Sequence, residues 1–159
     1  MRLPPKQTIS TDAIKAWRIT ASLYILIVWA LIIANGIFVF MFDYSKWALW
    51  GGLAFGVLLT YLFVLKIPSL RWRRWRYEVF DQEIYIQHGI LIVTRTLIPM
   101  IRVQHVDTKQ GPILKRYQLA SITISTAATT HEIPALDDED ASNLRDRISA
   151  LARVDEDDV

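Results

Sequence analysis

The sequence contains no cysteine, which excludes disulfide bonds, thiolate nucleophiles and zinc sites built on cysteine ligands. Its three histidines, His88, His105 and His131, lie far apart, and none has the spacing of a helical metal-binding pair. No phosphate-binding glycine loop, G-x-G-x-x-G motif or G-x-S-x-G nucleophile motif is present. We therefore expect a protein that is not an enzyme, with no catalytic residue, bound metal or cofactor.

Charge is almost absent from residues 19–65, where only Asp43 and Lys46 are charged. As helices, the uncharged runs 19–42 and 47–65 would be about 36 and 28 Å long, which suits a hydrocarbon core of about 30 Å. Backbone in lipid must form its hydrogen bonds within the segment, so both runs are predicted to be helices. The short link between them allows only an antiparallel hairpin. A cleaved signal peptide is the competing interpretation of the first run, but the run is too long for one.

Basic residues flank this hairpin on its outer sides and are scarce in its connecting loop. Those before the first span and after the second are Arg2, Lys6, Lys15, Arg18, Lys66, Arg71, Arg73, Arg74 and Arg76. Because Lys and Arg accumulate on the cytoplasmic side of membrane spans, both termini are predicted to be cytoplasmic.

Small residues recur every four positions in the second span and form a stripe there. They are Ala48, Gly52, Gly56 and Thr60, and the first span offers Ala30 and Ala34 at the same spacing. Such stripes let two helices approach closely. We favour packing within the hairpin, and the alternative is a docking face for a partner membrane protein.

After Pro68 the sequence changes to short runs rich in Ile, Val and Thr, separated by turn residues, which are typical of strands. The predicted strands are Tyr77–Phe80, Ile84–Ile86, Leu91–Ile98, Ile101–Val106, Ala120–Thr126 and His131–Ile133. From Asp137 or Asp138 onward, Ala141, Leu144, Ile148 and Leu151 form the apolar face of a helix. The expected fold is a two-helix transmembrane hairpin followed by a bent antiparallel sheet or barrel capped by a C-terminal helix.

Several segments of this half resemble the bacterial pleckstrin-homology-like (bPH2, DUF304) family, including its small YdbS-like membrane members. They are Tyr77–Val79, Ile84–Ile90, Ile98–Asp107 and Gln110–Arg116. The most specific part is Ile98-Pro99-x-x-Arg102-Val103-Gln104 with the Gln-Gly-Pro turn that follows. One departure is Tyr117–Leu119, where the family usually has a Leu-Gly-Leu-like turn. The resemblance implies a pleckstrin-homology (PH) fold without catalytic residues, often encoded beside a larger membrane protein that carries several such domains.

The predicted organisation has four parts. They are a cytoplasmic N-terminal arm (1–18), the transmembrane hairpin (19–66), a cytoplasmic PH-like domain (67–153) and an acidic tail (154–159) expected to be disordered.

Two surfaces are candidate binding sites. The first, which we call the basic collar, is Arg71, Trp72, Arg73, Arg74, Trp75 and Arg76. Alternating cations and indoles suit the headgroup layer of a membrane, either as a topology signal and anchor, which we favour, or as an anionic-lipid site. Nucleic-acid binding is not expected because the collar adjoins the bilayer. The second surface is Gln104, His105, Asp107 and Lys109, which can face a partner or merely cap a strand end.

These features favour a membrane-anchored binding module that assembles with a larger multi-PH-domain relative or with copies of itself in the bacterial cell membrane. The alternative is a lipid-interacting factor of envelope stress or of resistance to membrane-active peptides.

Overall fold

The computed structural model describes residues 3–42 and 47–157, and it describes the backbone alone for Ala48 and for residues 154–157. The chain forms two compact units. One is the helical unit Trp17–Ser69, and the other combines Met1–Ala16 with Leu70–Val159. The predicted loop at 43–46 lies outside the described residues.

Two long helical segments contain the predicted spans. Helix α1 is Ala13–Met41, and helix α2 (Trp47–Thr60) continues through a π-helical turn, Tyr61–Lys66, into α3 (Ile67–Arg74). Both segments are long and apolar enough to cross a membrane, and only 11% of the most apolar window of each is buried within the protein. Such a large exposed apolar surface is suited to lipid and not to water.

Within the helical unit, the small-residue stripe on α2 meets large side chains of α1. A Cβ added to Gly56 would lie 2.7 Å from Ile32 Cδ1 and 3.3 Å from the Trp29 ring. Trp29 Nε1 donates a hydrogen bond of 3.1 Å to Thr60 Oγ1. A Cβ added to Gly52 would lie 3.7 Å from Ile32, an ordinary van der Waals distance, so of these two glycines Gly56 is the one at the close approach to α1.

The remaining stripe residues differ from this arrangement. Ala30 and Ala34 are exposed in the hairpin, so they supply no close approach to α2. The side chain of Ala48 lies outside the described part of the chain.

Strands of the second unit form two antiparallel sheets. The four-stranded sheet has the order β1 (Gln7–Thr8), β2 (Arg76–Val79), β3 (Glu83–His88) and β4 (Thr94–Pro99). The three-stranded sheet has the order β5 (Val103–Lys109), β6 (Leu119–Thr126) and β7 (Thr130–Asp137). A 3₁₀ turn, Met100–Arg102, joins the sheets, and the helices of this unit are α4 (Pro112–Arg116) and α5 (Asp138–Asp157).

The core lies between the inner faces of the sheets and α5. Its fully buried members include Ile84, Ile86, Ile122, Ile124, Ile133, Ala141 and Ile148. Burial does not alternate along β6, because Ser121 and Thr123 are buried as well as Ile122 and Ile124. The reason is that β6 is the central strand of its sheet, and the β7 amide of Ala135 donates to Ser121 Oγ at 3.4 Å.

The secondary structure differs from the sequence prediction at several points. Strand β1 and helix α4 were not predicted, and Pro112 begins α4 at a position where its missing N–H is tolerated. Residues 91–93 precede β4 and are not part of it. Helix α5 continues to Asp157, so residues 155–157 are helical where a disordered tail was expected, while 158–159 lie outside the described residues.

We predict that Gly56→Ala destabilises the hairpin relative to Gly51→Ala by about 1 kcal/mol, because the added methyl group must displace Ile32 Cδ1 and approaches the Trp29 ring. Thermal unfolding of the detergent-solubilised protein, followed by circular dichroism, measures the loss. The matched control is Gly51→Ala, since nothing lies within 4 Å of a Cβ at Gly51. Equal effects of the two substitutions would contradict the prediction.

Candidate binding surfaces

Strand β5 leaves one edge open at the end of the three-stranded sheet. It pairs with β6 on one side, and the sheet order has no strand on its other side among the described residues. Gln104, His105, Asp107 and Lys109, the predicted partner surface, all lie on this strand and are exposed. An open edge presents unpaired backbone N–H and C=O groups to any strand that approaches.

A cleft of about 330 Å³ lies between β5 and the C-terminal half of α5. Residues 103–107 of β5 form one wall, and Ser149, Ala152 and Arg153 of α5 contribute the other. The α5 wall was not predicted from the sequence, because only the docking of α5 against the sheet brings these residues beside β5.

A β-bulge lies at the beginning of this edge. Val103 pairs with Thr126, whereas His105 pairs with Ser125, so Gln104 is the extra residue on β5. Bulges bend a strand, interrupt its pairing and redirect a side chain. His105, Asp107 and Lys109 then occupy every second position of β5. Arg153 of α5 adds a cation on the other side of the cleft. The surface combines main-chain hydrogen-bonding groups with mixed charge, which suits an extended peptide with charged side chains.

A second, larger cleft of about 680 Å³ lies between the N-terminal arm and the β2–β3 hairpin. Its lining includes the carboxylates of Glu78, Asp81 and Glu83 and a single lysine, Lys6. Among the described residues, no group of three or more His, Cys, Asp or Glu side chains is arranged to hold a metal ion.

The basic collar is divided between two elements. Arg71–Arg74 form the last turn of α3, and Arg76 begins β2. Trp75 is buried and stacks on the His88 ring with 5.4 Å between ring centroids. Trp72 Nε1 donates a hydrogen bond of 3.1 Å to the Ile9 carbonyl oxygen.

The two indoles of the collar therefore pack within the sheet-containing unit, while Arg71, Arg73 and Arg74 are exposed. The expected position of the collar's indoles in the headgroup layer does not fit Trp75, which is only 7% exposed. The exposed arginines retain the geometry of a cationic flank beside a membrane span.

The three histidines, all within the described part of the chain, lie in separate places in the structure. His88 stacks on Trp75, His105 is exposed on β5, and His131 Nε2 lies 2.9 Å from Thr129 Oγ1. Burial raises the pKa of Tyr77, and the carboxylates of Asp140 and Asp137 raise it further. The Tyr77 phenol therefore stays protonated at neutral pH and acts as a core side chain.

We predict that Trp72→Phe loosens the N-terminal arm, because it removes the hydrogen bond to Ile9, worth about 0.5–1.5 kcal/mol. Amide hydrogen exchange at Gln7, Thr8 and Ile9 should become faster while exchange in β6 stays unchanged. Trp47→Phe is the control, since Trp47 is 84% exposed in α2. Unchanged exchange in the arm would rule out this tether.

Comparison with known proteins agrees with this architecture. The bacterial PH domain family model matches residues 16–152. The UPF0699 transmembrane protein YdbS of Bacillus subtilis is 48% identical over 165 aligned positions that cover the whole of both chains. The UPF0699 transmembrane protein YdbT of the same organism is 27% identical over 103 positions, which cover 62% of this chain and 20% of YdbT.

No solved structure matches the chain significantly. The family match spans most of the sequence, and the full-length relative is itself named a transmembrane protein. The two apolar helical segments and the two antiparallel sheets with a C-terminal helix fit a membrane protein with a PH-like domain. The chain belongs to the bacterial PH domain family and is a transmembrane member of it.

Proposed function

We propose that the protein is a non-enzymatic, membrane-anchored binding module that assembles with a larger membrane protein carrying related PH-like domains. The observation that carries this proposal is the open edge of β5 beside the cleft formed with α5. An edge of this kind binds an extended segment by adding it to the sheet as a further strand.

In this mode the partner strand forms main-chain hydrogen bonds to β5. Its alternate side chains enter the cleft between β5 and α5, where Arg153 favours an acidic group. His105, Asp107 and Lys109 add charge selection along the strand, which affects specificity more than affinity. In this mode the main-chain hydrogen bonds of β5 provide affinity, and its side chains provide specificity.

The size of the partner is suggested by the two relatives. Bacillus subtilis carries both a full-length relative of this chain and the longer YdbT, in which a related segment occupies one fifth of the protein. Two proteins with related domains in one membrane are natural candidates for pairing through equivalent surfaces. Self-association through β5 is the competing outcome.

We predict that Arg153→Glu lowers recovery of the larger relative severalfold when the tagged chain is co-purified from membranes in mild detergent. The charge reversal places an acid where the partner's acidic group would bind. Lys115→Glu is the matched control, because it makes the same charge change on exposed α4 away from the cleft. Equal recovery with both variants would exclude the cleft, and a chain that purifies alone or with itself would exclude the larger partner.

The alternative function, a lipid-interacting envelope factor, is supported by the exposed arginines at the end of α3. Arg73 and Arg74 offer guanidinium groups to anionic headgroups next to a membrane span. The same purification separates the two functions, since recovery of the chain with anionic lipid and without any protein partner favours this alternative.

We also propose that both termini are cytoplasmic. Gln7 and Thr8 precede the first span and pair with Tyr77 and Arg76, which follow the second, so these segments share one side of the membrane. The density of basic residues on these flanks favours the cytoplasm as that side.

For this topology, we predict that a cytoplasm-active reporter such as green fluorescent protein is active on either terminus. A reporter that works only after export, such as alkaline phosphatase, should be inactive at both. The reverse pattern would overturn the assignment.

A further inference from the structure

Among the described residues of the sheet-containing unit beyond the N-terminal arm, the turn between β3 and β4 carries the most exposed large apolar side chains. This segment, Gly89–Val93, which we call the apolar tip, contains only glycine and aliphatic residues. Leu91 is 96% exposed and Ile92 is 82% exposed. Adjacent aliphatic side chains projecting into water are unfavourable, so the tip requires a partner phase or surface.

The tip has a defined shape. Gly89 has a φ of +111°, which side chains other than glycine rarely adopt, and a Cβ there would collide with the Ile92 carbonyl oxygen. Glycine therefore permits the turn that presents Leu91 and Ile92 outward.

Strand register places the tip at the end of the sheet where the chain arrives from the second span. Strand β2 begins at Arg76, immediately after the helix that ends at Arg74, and β3 returns antiparallel to it with Gln87 opposite Arg76. His88 at the base of the tip stacks on Trp75, the residue that joins helix to strand. At the opposite end of β3 lies the polar turn Asp81–Gln82, which joins β2 to β3.

Basic side chains lie directly behind the tip. Arg76 and Arg95 are both cross-strand neighbours of Gln87, and Arg95 Nε donates a hydrogen bond of 2.9 Å to Gln87 Oε1. Arg95 lies four positions after Leu91, a distance of at most about 13 Å along an extended chain. In a leaflet the acyl chains lie below the lipid phosphates. Aliphatic side chains at the end of the turn, with arginines about this far behind them, have the same arrangement.

We propose that the apolar tip inserts into the boundary between headgroups and acyl chains of the bilayer that already anchors the chain, as a third membrane contact besides the two spans. Arg76 and Arg95 then contact lipid phosphates. This insertion goes beyond the assembly function and does not depend on it, because the β5 edge and the tip belong to different sheets.

The absence of native cysteine makes a direct test possible. The full chain with Ile92→Cys is labelled with the fluorophore NBD and reconstituted into vesicles of phosphatidylcholine and phosphatidylglycerol. Aqueous iodide and a lipid with a nitroxide on its upper acyl chain serve as separate quenchers. Asp81→Cys, exposed in the β2–β3 turn at the opposite end of β3, is the matched control.

Insertion predicts blue-shifted emission at position 92, severalfold weaker quenching by iodide than at position 81, and severalfold stronger quenching by the nitroxide lipid. Iodide quenching at position 92 equal to that at position 81 would show a tip in water and overturn the proposal. Protection from both quenchers would show that protein covers the tip, and would overturn it as well. Because residue 92 is 82% exposed, the substitution leaves the core intact, and circular dichroism verifies folding.

Discussion

The constraint on which this structure depends is the passage of one chain from lipid into water between Lys66 and Arg76. In lipid the backbone must satisfy its own hydrogen bonds, so the chain stays helical through α2, the π-helical turn and α3. At Arg74 the helix ends, and Arg76 begins a strand whose hydrogen bonds go to β1 and β3. Trp75 lies between this helix and this strand, and its indole stacks on the His88 ring.

The N-terminal arm contacts the segment in which the chain leaves the second span. It precedes the first span, yet its residues pair with β2, and the carbonyl of Ile9 accepts the hydrogen bond of Trp72. The sheet-containing unit is therefore built from both flanks of the hairpin. A unit assembled in this way has two covalent connections to the helical unit, and the proposed insertion of the apolar tip would add a noncovalent contact with the membrane.

The features that support the proposed functions all lie on the surface of the protein. The buried side chains of β6, including Ser121 and Thr123, contribute to packing, and Tyr77 is held protonated in the core. What faces outward is an open strand edge beside a cleft, a row of arginines after a span, and an aliphatic turn. These are the features on which the proposed assembly and the proposed lipid contacts are based.

The sequence by itself determined the two spans and the order of strands β2 to β7 and helix α5, because hydrophobic length and periodicity act locally. Residues 19–42 and 47–65 lie almost entirely within the two helical segments, and the apolar positions Ala141 and Ile148 are buried. The sequence also identified His105 and Asp107 as exposed candidates. It predicted the apolar run 91–93 as part of a strand, since a run of aliphatic residues has the same local signal in a buried strand and in an exposed turn.

Tertiary structure alone decided the rest. Pairing of Gln7–Thr8 with β2 joins residues far apart in the chain, and docking of α5 beside β5 brings Arg153 to the cleft. Burial of Trp75, in contrast to the exposed arginines around it, depends on where His88 lies after the sheet forms. These are long-range contacts, and local propensity carries no information about which distant surface a side chain will meet.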